Sequence, residues 1–445
     1  MTSYRIGIIS LGCAKNQVDC ELMLSKLTRA GFEVTDDVEN TDAVLINTCG
    51  FIEDAKKEAI DNILYAAELK EQGLTRAVIV TGCLAQRYGE EVKTEIPEID
   101  ALVGLGSNGD IAEICKRAIE GEPTVTLPDV SCMPLDGERV LTTPAYTAYL
   151  RVADGCSNKC TYCAIPLIRG EYRSRKMESI LDEAQKLVNG GAKELVVIAQ
   201  DTTRYGLDIY GKLMLPELLK KLCRIEKLDW VRVMYCYPDF ITDELLETIA
   251  SEEKICNYLD LPLQHANGDV LKAMNRRGDK DSLLALVEKI RRIIPDVVLR
   301  TTLITGFPGE SEDAFVDLYD FVKKAEFDRL GCFTYSAEEG TPAAEFDSQV
   351  DDEIKAERLD IIMRLQQEIT MERNAERIGK QYKVLVEGYD GYSDSYYGRS
   401  YSDAMEIDTQ VFFTSAVELF EGEFVTVKII NADGYDLIGE TLDLI

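Results

Sequence analysis

The stretch Arg151-Val-Ala-Asp-Gly-Cys-Ser-Asn-Lys-Cys-Thr-Tyr-Cys-Ala-Ile-Pro166 constrains this chain more than any other. Cys156, Cys160 and Cys163 fall within eight residues, with three and then two residues between them. A loop that short can turn three thiolates toward one point, and thiolates are the ligands that iron–sulfur clusters and zinc prefer. Three is an informative count. A structural zinc site closes with four protein ligands, whereas a cubane cluster held by three cysteines keeps one iron open to another ligand. The plainer alternatives are a zinc loop with a distant fourth ligand, or three ordinary reduced thiols.

A second set of thiols is hidden by its spacing. Tyr4-Arg-Ile-Gly-Ile-Ile-Ser10, Ala43-Val-Leu-Ile-Asn47 and Arg76-Ala-Val-Ile-Val80 are short apolar runs of strand character. They alternate with amphipathic helical segments at Asp19–Ala30 and Glu53–Leu69, and this alternation predicts a doubly wound parallel α/β sheet. Cys13, Cys49 and Cys83 each lie just past the carboxyl end of one of these strands. Such sheets bind ligands beyond those ends, so the three cysteines are expected to converge on one edge as a second three-thiolate site. Three separately buried small residues would be the bland reading, since free Cys is often buried. Cys20 reads as helical and structural, and Cys115 and Cys132 as incidental.

A stretch rich in Pro, Thr and Asp, Glu122–Pro144, reads as a connector. After it, six further strands are expected at Tyr149–Val152, Glu194–Ala199, Trp230–Tyr235, Tyr258–Leu261, Val297–Ile304 and Arg329–Tyr335. Six βα units are too few for a closed eight-fold barrel and predict a partial (βα)6 barrel with an open side. Polar residues at its strand ends, such as Gln200-Asp201-Thr202-Thr203 and Gln264-His265, stand where barrels place chemistry. His265 is the only histidine; a general base and a packed structural residue are about equally supported. No catalytic side chain can be named, so cofactors must carry the hard chemistry. Arg169-Gly-Glu-Tyr-Arg-Ser-Arg175 is the strongest basic run, suited to a carboxylate or to solvent.

A charged, periodic segment at 352–379 predicts one long helix, and short β runs from Gln381 onward predict a small β-barrel of oligonucleotide-binding type. From Ala375 to Ile445 there are 14 Asp/Glu against 5 Lys/Arg, a balance of −9. The whole chain carries −31 over 445 residues. A phosphate backbone is bound through Lys and Arg, so this charge argues against direct RNA binding and for a basic protein partner. Thirteen cysteines without an export signal or an apolar run of about 18 residues suggest a cytoplasmic protein with reduced thiols and no membrane span.

Taken together, the motifs resemble the methylthiotransferase branch of the radical S-adenosylmethionine (SAM) superfamily. Leu11-Gly-Cys13-Ala-Lys-Asn16, Asn47-Thr-Cys49-Gly and Thr81-Gly-Cys83-Leu-Ala-Gln86 are similar to its N-terminal set, and Cys156, Cys160 and Cys163 to its radical SAM set. The resemblance implies three domains: a cluster-binding domain over residues 1–121, a radical SAM core over 142–374 and a TRAM β-barrel over 375–445. It also implies two 4Fe-4S clusters, SAM as cosubstrate, and an electron donor such as flavodoxin or ferredoxin. Tyr162 and Gln200 are the side chains expected to contact SAM. Ile198–Gly206, Tyr335–Thr341 and Gly398–Ala404 look like the branch that modifies the β-carbon of an aspartate in a small-subunit ribosomal protein. The acidic barrel agrees, because ribosomal proteins are basic. The alternatives are methylthiolation of an adenosine in transfer RNA and, less well supported, a non-catalytic iron–sulfur carrier.

Overall fold

The computed structural model describes residues 3–442. Its first region is a six-stranded parallel sheet of β1 (Arg5–Ser10), β2 (Glu33–Thr35), β3 (Ala43–Thr48), β4 (Ala77–Gly82), β5 (Ala101–Val103) and β6 (Thr124–Thr126), ordered β2-β1-β3-β4-β5-β6. Every residue of β3 and β4 is buried, because helices cover both faces of the sheet. Ala43, Leu45 and Ile79 pack on one side with Met23 and Leu27, and Val44, Ile46 and Val80 on the other with Ile63 and Leu84. The three expected strands are the long ones. β2, β5 and β6 were missed because three residues are too few to set a period. Strand order reverses between β1 and β3, which places the switch point between the loops of Cys13 and Cys49.

All six expected core strands form: β7 (Thr147–Arg151), β10 (Glu194–Ile198), β11 (Trp230–Val233), β12 (Tyr258–Asp260), β13 (Val298–Thr305) and β14 (Arg329–Thr334), with a two-residue hairpin of β8 (Ala153–Asp154) and β9 (Arg173–Ser174) beside the cysteine loop. β7-β10-β11 and β12-β13-β14 are parallel sheets. Cys236 N–H to Asp260 O (2.8 Å) joins them edge to edge. β7 and β14 are not paired with each other, so the barrel is open on one side.

The long helix Asp352–Ala375 leads into a closed five-stranded barrel of β15 (Gln381–Asp390), β16 (Ser395–Ser400), β17 (Val411–Thr414), β18 (Phe424–Asp433) and β19 (Asp436–Thr441). This barrel caps the amino ends of the core strands. Arg399 donates to Glu194 (2.8 Å), Arg329 to Asp403 (2.9 Å) and Tyr258 to Asp408 (2.6 Å). Each core partner there is the first residue of its strand. Leu385, Ala404 and Met405 from the barrel, and Val18 and Leu22 from the first helix, share one apolar cluster with Tyr149, Val196 and Trp230. The carboxyl ends of the strands are left for chemistry. Among the described residues no helix is long and apolar enough to cross a membrane.

Candidate functional site

The loop of Cys156, Cys160 and Cys163 leaves β8 and is pinned from three neighbouring segments. Asn158 donates to Asp201 (2.9 Å), Thr161 to the Ala273 carbonyl (2.8 Å) and Asn275 to the Lys159 carbonyl (2.9 Å). Cys156 N–H donates to the Gly170 carbonyl (3.1 Å). The Cys160 Sγ lies 3.8 Å from Arg276 Nη1 and 3.9 Å from the Tyr237 hydroxyl. Burial first, and then the neighbouring thiols, push Cys163 up to about 12; burial likewise pushes Cys156 up to about 11. Thiols of this kind are protonated at neutral pH until a metal displaces the proton.

The N-terminal cysteines meet at the carboxyl edge of the parallel sheet. Cys13 precedes the helix Ala14–Arg29, Cys49 follows β3, and Cys83 opens the helix Cys83–Glu95 after β4. Two glycines make the approach possible. Gly12 has φ +94°, and a Cβ there would lie 2.9 Å from Cys49 Cβ. Gly82 has φ +98°, and a Cβ there would collide with the Thr48 backbone. Burial pushes Cys83 up to about 12, with Arg169 opposing. Burial also raises Cys49, and the Cys13 thiol is one of the charges that raise it further. Cys13 keeps an exposed edge at the mouth of the cleft. The protein crowding its thiol would raise its pKa, but Lys15 and Arg169 together hold it below the ordinary value.

One buried guanidinium ties the two sets together. Arg169, 1% exposed, reaches Cys83 Sγ (3.6 Å), Asp19 (2.8 Å) and Asp154 (3.1 Å). Arg151 also pairs with Asp19. Asp154 is buried, which alone would raise it, but Arg169 and Arg151 hold it below the usual carboxylate range. It accepts from Gln200 Nε2 (2.6 Å), which leaves the buried Gln200 Oε1 without a partner. That orphaned acceptor beside the cysteine loop is a ready hydrogen-bond site for a bound molecule. Tyr162 stands edge-on to Phe307 (6.5 Å) and accepts from Arg276 (3.4 Å). Among the described residues, no three His, Cys, Asp or Glu side chains close on a single metal ion. Three thiols in each set suit a cluster, which spreads its thiolates over several irons, where a structural zinc site takes four protein ligands.

Three expectations change. Arg169–Arg175 is neither a solvated loop nor a free carboxylate clamp: Arg169 is spent on the network above, and Arg175 is buried against Asp136 (2.6 Å) and Glu183 (2.5 Å). His265 is structural. It is fully buried, its Nδ1 accepts from the Asn267 N–H (3.0 Å), and its Nε2 faces Glu310 (3.1 Å), itself held by Arg358 (2.7 Å). Both ring nitrogens are used. Cys20 does sit in a helix but also lines a cavity of about 490 Å³ with Gly12, Asp36, Thr142 and Glu406, and burial pushes it up to about 11.

Sequence reading singles out none of Asp19, Asp154 and Glu338, and gives Asp201 only as one of four polar residues at a strand end. Asp154 had the one usable signal, since it immediately precedes Gly155-Cys156. Glu338, 3% exposed, accepts from Lys56 (3.2 Å) and Arg87 (2.9 Å) of the N-terminal region. The stretches Ile198–Gly206, Tyr335–Thr341 and Gly398–Ala404 therefore share a role. They hold the cysteine loop, the N-terminal domain and the C-terminal barrel against the core.

Comparison with known proteins matches residues 5–104 to the model described as uncharacterized protein family UPF0004, residues 150–322 to the radical SAM superfamily and residues 378–442 to the TRAM domain. The ribosomal protein uS12 methylthiotransferase RimO of Clostridioides difficile is 51% identical over 440 residues, 98% of this chain and 99% of the relative. That of Lachnoclostridium phytofermentans is 49% identical over 436 residues, 98% and 99% of the two chains. Among solved structures, the radical SAM methyltransferase TsrM of Kitasatospora setae, with tryptophan and a SAM analogue bound, superposes with a TM-score of 0.57. It is 14% identical and covers 87% of this chain and 79% of its own, a likeness of fold.

Proposed function

The chain belongs to the family of ribosomal protein uS12 methylthiotransferases, and from that premise we propose how its residues divide the work. It is a radical SAM transferase that adds a methylthio group to the β-carbon of an aspartate in a small-subunit ribosomal protein. Cys156, Cys160 and Cys163 would hold one 4Fe-4S cluster, and Cys13, Cys49 and Cys83 a second. Bound there, the first would supply the electron for reductive cleavage of a C–S bond of SAM, whose radical product can take hydrogen from an unactivated C–H bond of the substrate, and the second would supply an open iron for sulfur.

The remaining steps belong to the chain. Gln200, with its free Oε1 and its amide fixed on Asp154, orients a donor group of SAM, and Tyr162 closes the wall beside it. Arg169 bridges Cys83 to Asp154, two residues before Cys156, and offsets the negative charge that thiolates bring to a buried place. The burial of Asp154, Asp201 and Arg169 keeps water from the region in which a radical would be quenched. The cavity beside Gly12, bordered by Asp36 and Glu406, receives the basic substrate. The barrel adds to that field, since Arg399, Arg377 and Lys383 are paired with Glu194, Asp328 and Asp229 of the core.

The observation that carries this reading is the pair of three-thiol sets joined through Arg169 and Asp154 in one chain. The test is to incubate the anaerobically reconstituted enzyme, SAM and dithionite with small ribosomal subunits and, separately, with transfer RNA. A methylthio mass gain on one ribosomal protein is expected. A gain on adenosine would refute the assignment of substrate and leave the fold intact.

A further inference from the structure

A cavity of about 400 Å³ lies on the solvent side of the cysteine loop, at the carboxyl ends of β10, β11 and β12. Its charge is opposite to that of the protein. Arg204, Lys272, Arg276 and Arg277 stand among its ten lining residues, with Asp239 as the one acid, on a chain of net charge −31. Lys159, exposed, follows the lining residue Asn158 along the chain. Little neutralises these cations. Asp239 reaches Arg277 at 3.6 Å, and among the described residues no ion pair engages Lys159, Arg204 or Lys272. The two inner guanidiniums are fixed by aromatic faces, Arg276 over Tyr237 (4.3 Å to the ring centre) and Arg204 over Phe240 (5.6 Å).

The cavity also touches the sulfur site. Arg276 and Tyr237 line it and both approach Cys160 Sγ, at 3.8 and 3.9 Å. A molecule seated there is one side chain away from the thiol. The basic substrate expected by the acidic barrel would be repelled from this face, so the cavity is not its entry.

We infer that this cationic cavity is the docking site of an acidic one-electron carrier protein, which delivers its electron to the centre held by Cys156, Cys160 and Cys163. The inference rests on the proposed cluster at those cysteines. In the transfer the carrier is oxidised by one electron and the thiolate-held centre reduced by one; no bond is made or broken. Complementary charge accelerates encounter and makes it sensitive to salt. Against an overall acidic chain, a local cationic ring is what allows an acidic carrier to approach at this face.

The test uses the reconstituted holoenzyme, a reduced flavodoxin as the acidic carrier, and the variants Lys272→Glu/Arg277→Glu and Lys323→Glu/Lys324→Glu. All four side chains belong to exposed residues, and the second pair makes the same charge change on a remote helix. Flavodoxin binding and SAM cleavage are measured, the latter with flavodoxin and with dithionite as reductant. Lys272→Glu/Arg277→Glu is expected to weaken binding at least tenfold at low salt and to slow flavodoxin-driven cleavage by a like factor, with dithionite-driven cleavage unchanged. Lys323→Glu/Lys324→Glu should behave as the parent. Equal losses in both pairs, no loss in the first, or capture of free flavin mononucleotide in place of the protein would overturn the inference. If dithionite drives no SAM cleavage in the parent, the cluster reading fails, while the binding measurement still judges the docking site.

Discussion

The two sets of three cysteines reach the same count by opposite routes. Cys156, Cys160 and Cys163 sit in one loop, and eight residues of sequence bring them together. Cys13, Cys49 and Cys83 are spread over seventy residues and meet only because β1, β3 and β4 are parallel neighbours with their carboxyl ends level. The local set is fastened by side chains of its own domain, Asp201 and Asn275 among them. The dispersed set has Lys15 from its own domain but takes Arg169, the cation at Cys83, from the other. The first set therefore depends on a loop, and the second on a docked interface.

The largest effect that could break this contrast is removal of the thiols themselves. Cys13→Ala/Cys49→Ala/Cys83→Ala should lose about four irons per chain and all methylthio product, yet keep SAM cleavage. Cys156→Ala should lose both activities. Loss of SAM cleavage in the N-terminal variant would mean that the two sets are not separable.

Next in size is the seam between them. Arg169→Ala leaves Asp19 and Asp154 buried with weakened pairing, and breaking a buried pair costs about 3–5 kcal/mol. Urea unfolding should show that loss, and iron analysis should show the dispersed set depleted before the local one. A change below about 1 kcal/mol would mean that Arg151 suffices for both carboxylates.

A seam far from the thiols sharpens the comparison through pH. Glu194 is buried, which would raise it, but Arg399 and Arg232 hold it at about 2 against an ordinary 4.5. A depressed carboxyl contributes stability that is present above pH 4.5 and lost as the pH falls toward 2. The shift corresponds to about 3 kcal/mol. Glu387 next to Arg399 is raised by burial and blunts this limb. Glu194→Gln should flatten the acid limb in thermal melts of the metal-free protein. Because the side-chain partners of Glu194 are Thr147, Arg232 and Arg399 and none is a thiol of either set, iron content at neutral pH should stay unchanged in whatever fraction remains folded.

The smallest effect tests the local loop. Tyr162→Phe removes the hydrogen bond from Arg276 (3.4 Å) and should cost about 1 kcal/mol or less. A modest rise in the SAM concentration for half-maximal cleavage is expected, with no change in iron. A large loss of iron would show that the loop needs more support than its own backbone provides.

Much of this molecule was legible in order along the chain. Alternating strands and helices announced the parallel sheet, and six βα units announced the open barrel, because both are written in short periodic patterns. The all-buried runs Ala43–Thr48 and Ala77–Gly82 are strong signals, whereas Glu33–Thr35 and Thr124–Thr126 are too short to carry one. In the C-terminal barrel β16 and β19 carry little strand signal of their own. Their sequences, Ser-Tyr-Tyr-Gly-Arg-Ser and Asp-Leu-Ile-Gly-Glu-Thr, mix Gly and charge into the strand, and they are strands because a closed barrel pairs them on both sides.

Residue types and spacing by themselves determined which side chains can bind soft metal, the order of the domains and the sign of the surface charge. They did so because thiol chemistry, hydrophobic period and net charge are properties of the chain before it folds. Tertiary structure alone decided that His265 is satisfied on both nitrogens, that Arg169 and Arg175 are buried structural cations, and that four cations gather beside Cys160 on an acidic protein. A charge acquires its role from what surrounds it. Those surroundings come from distant parts of the chain, which only the packed domains bring within a few ångströms.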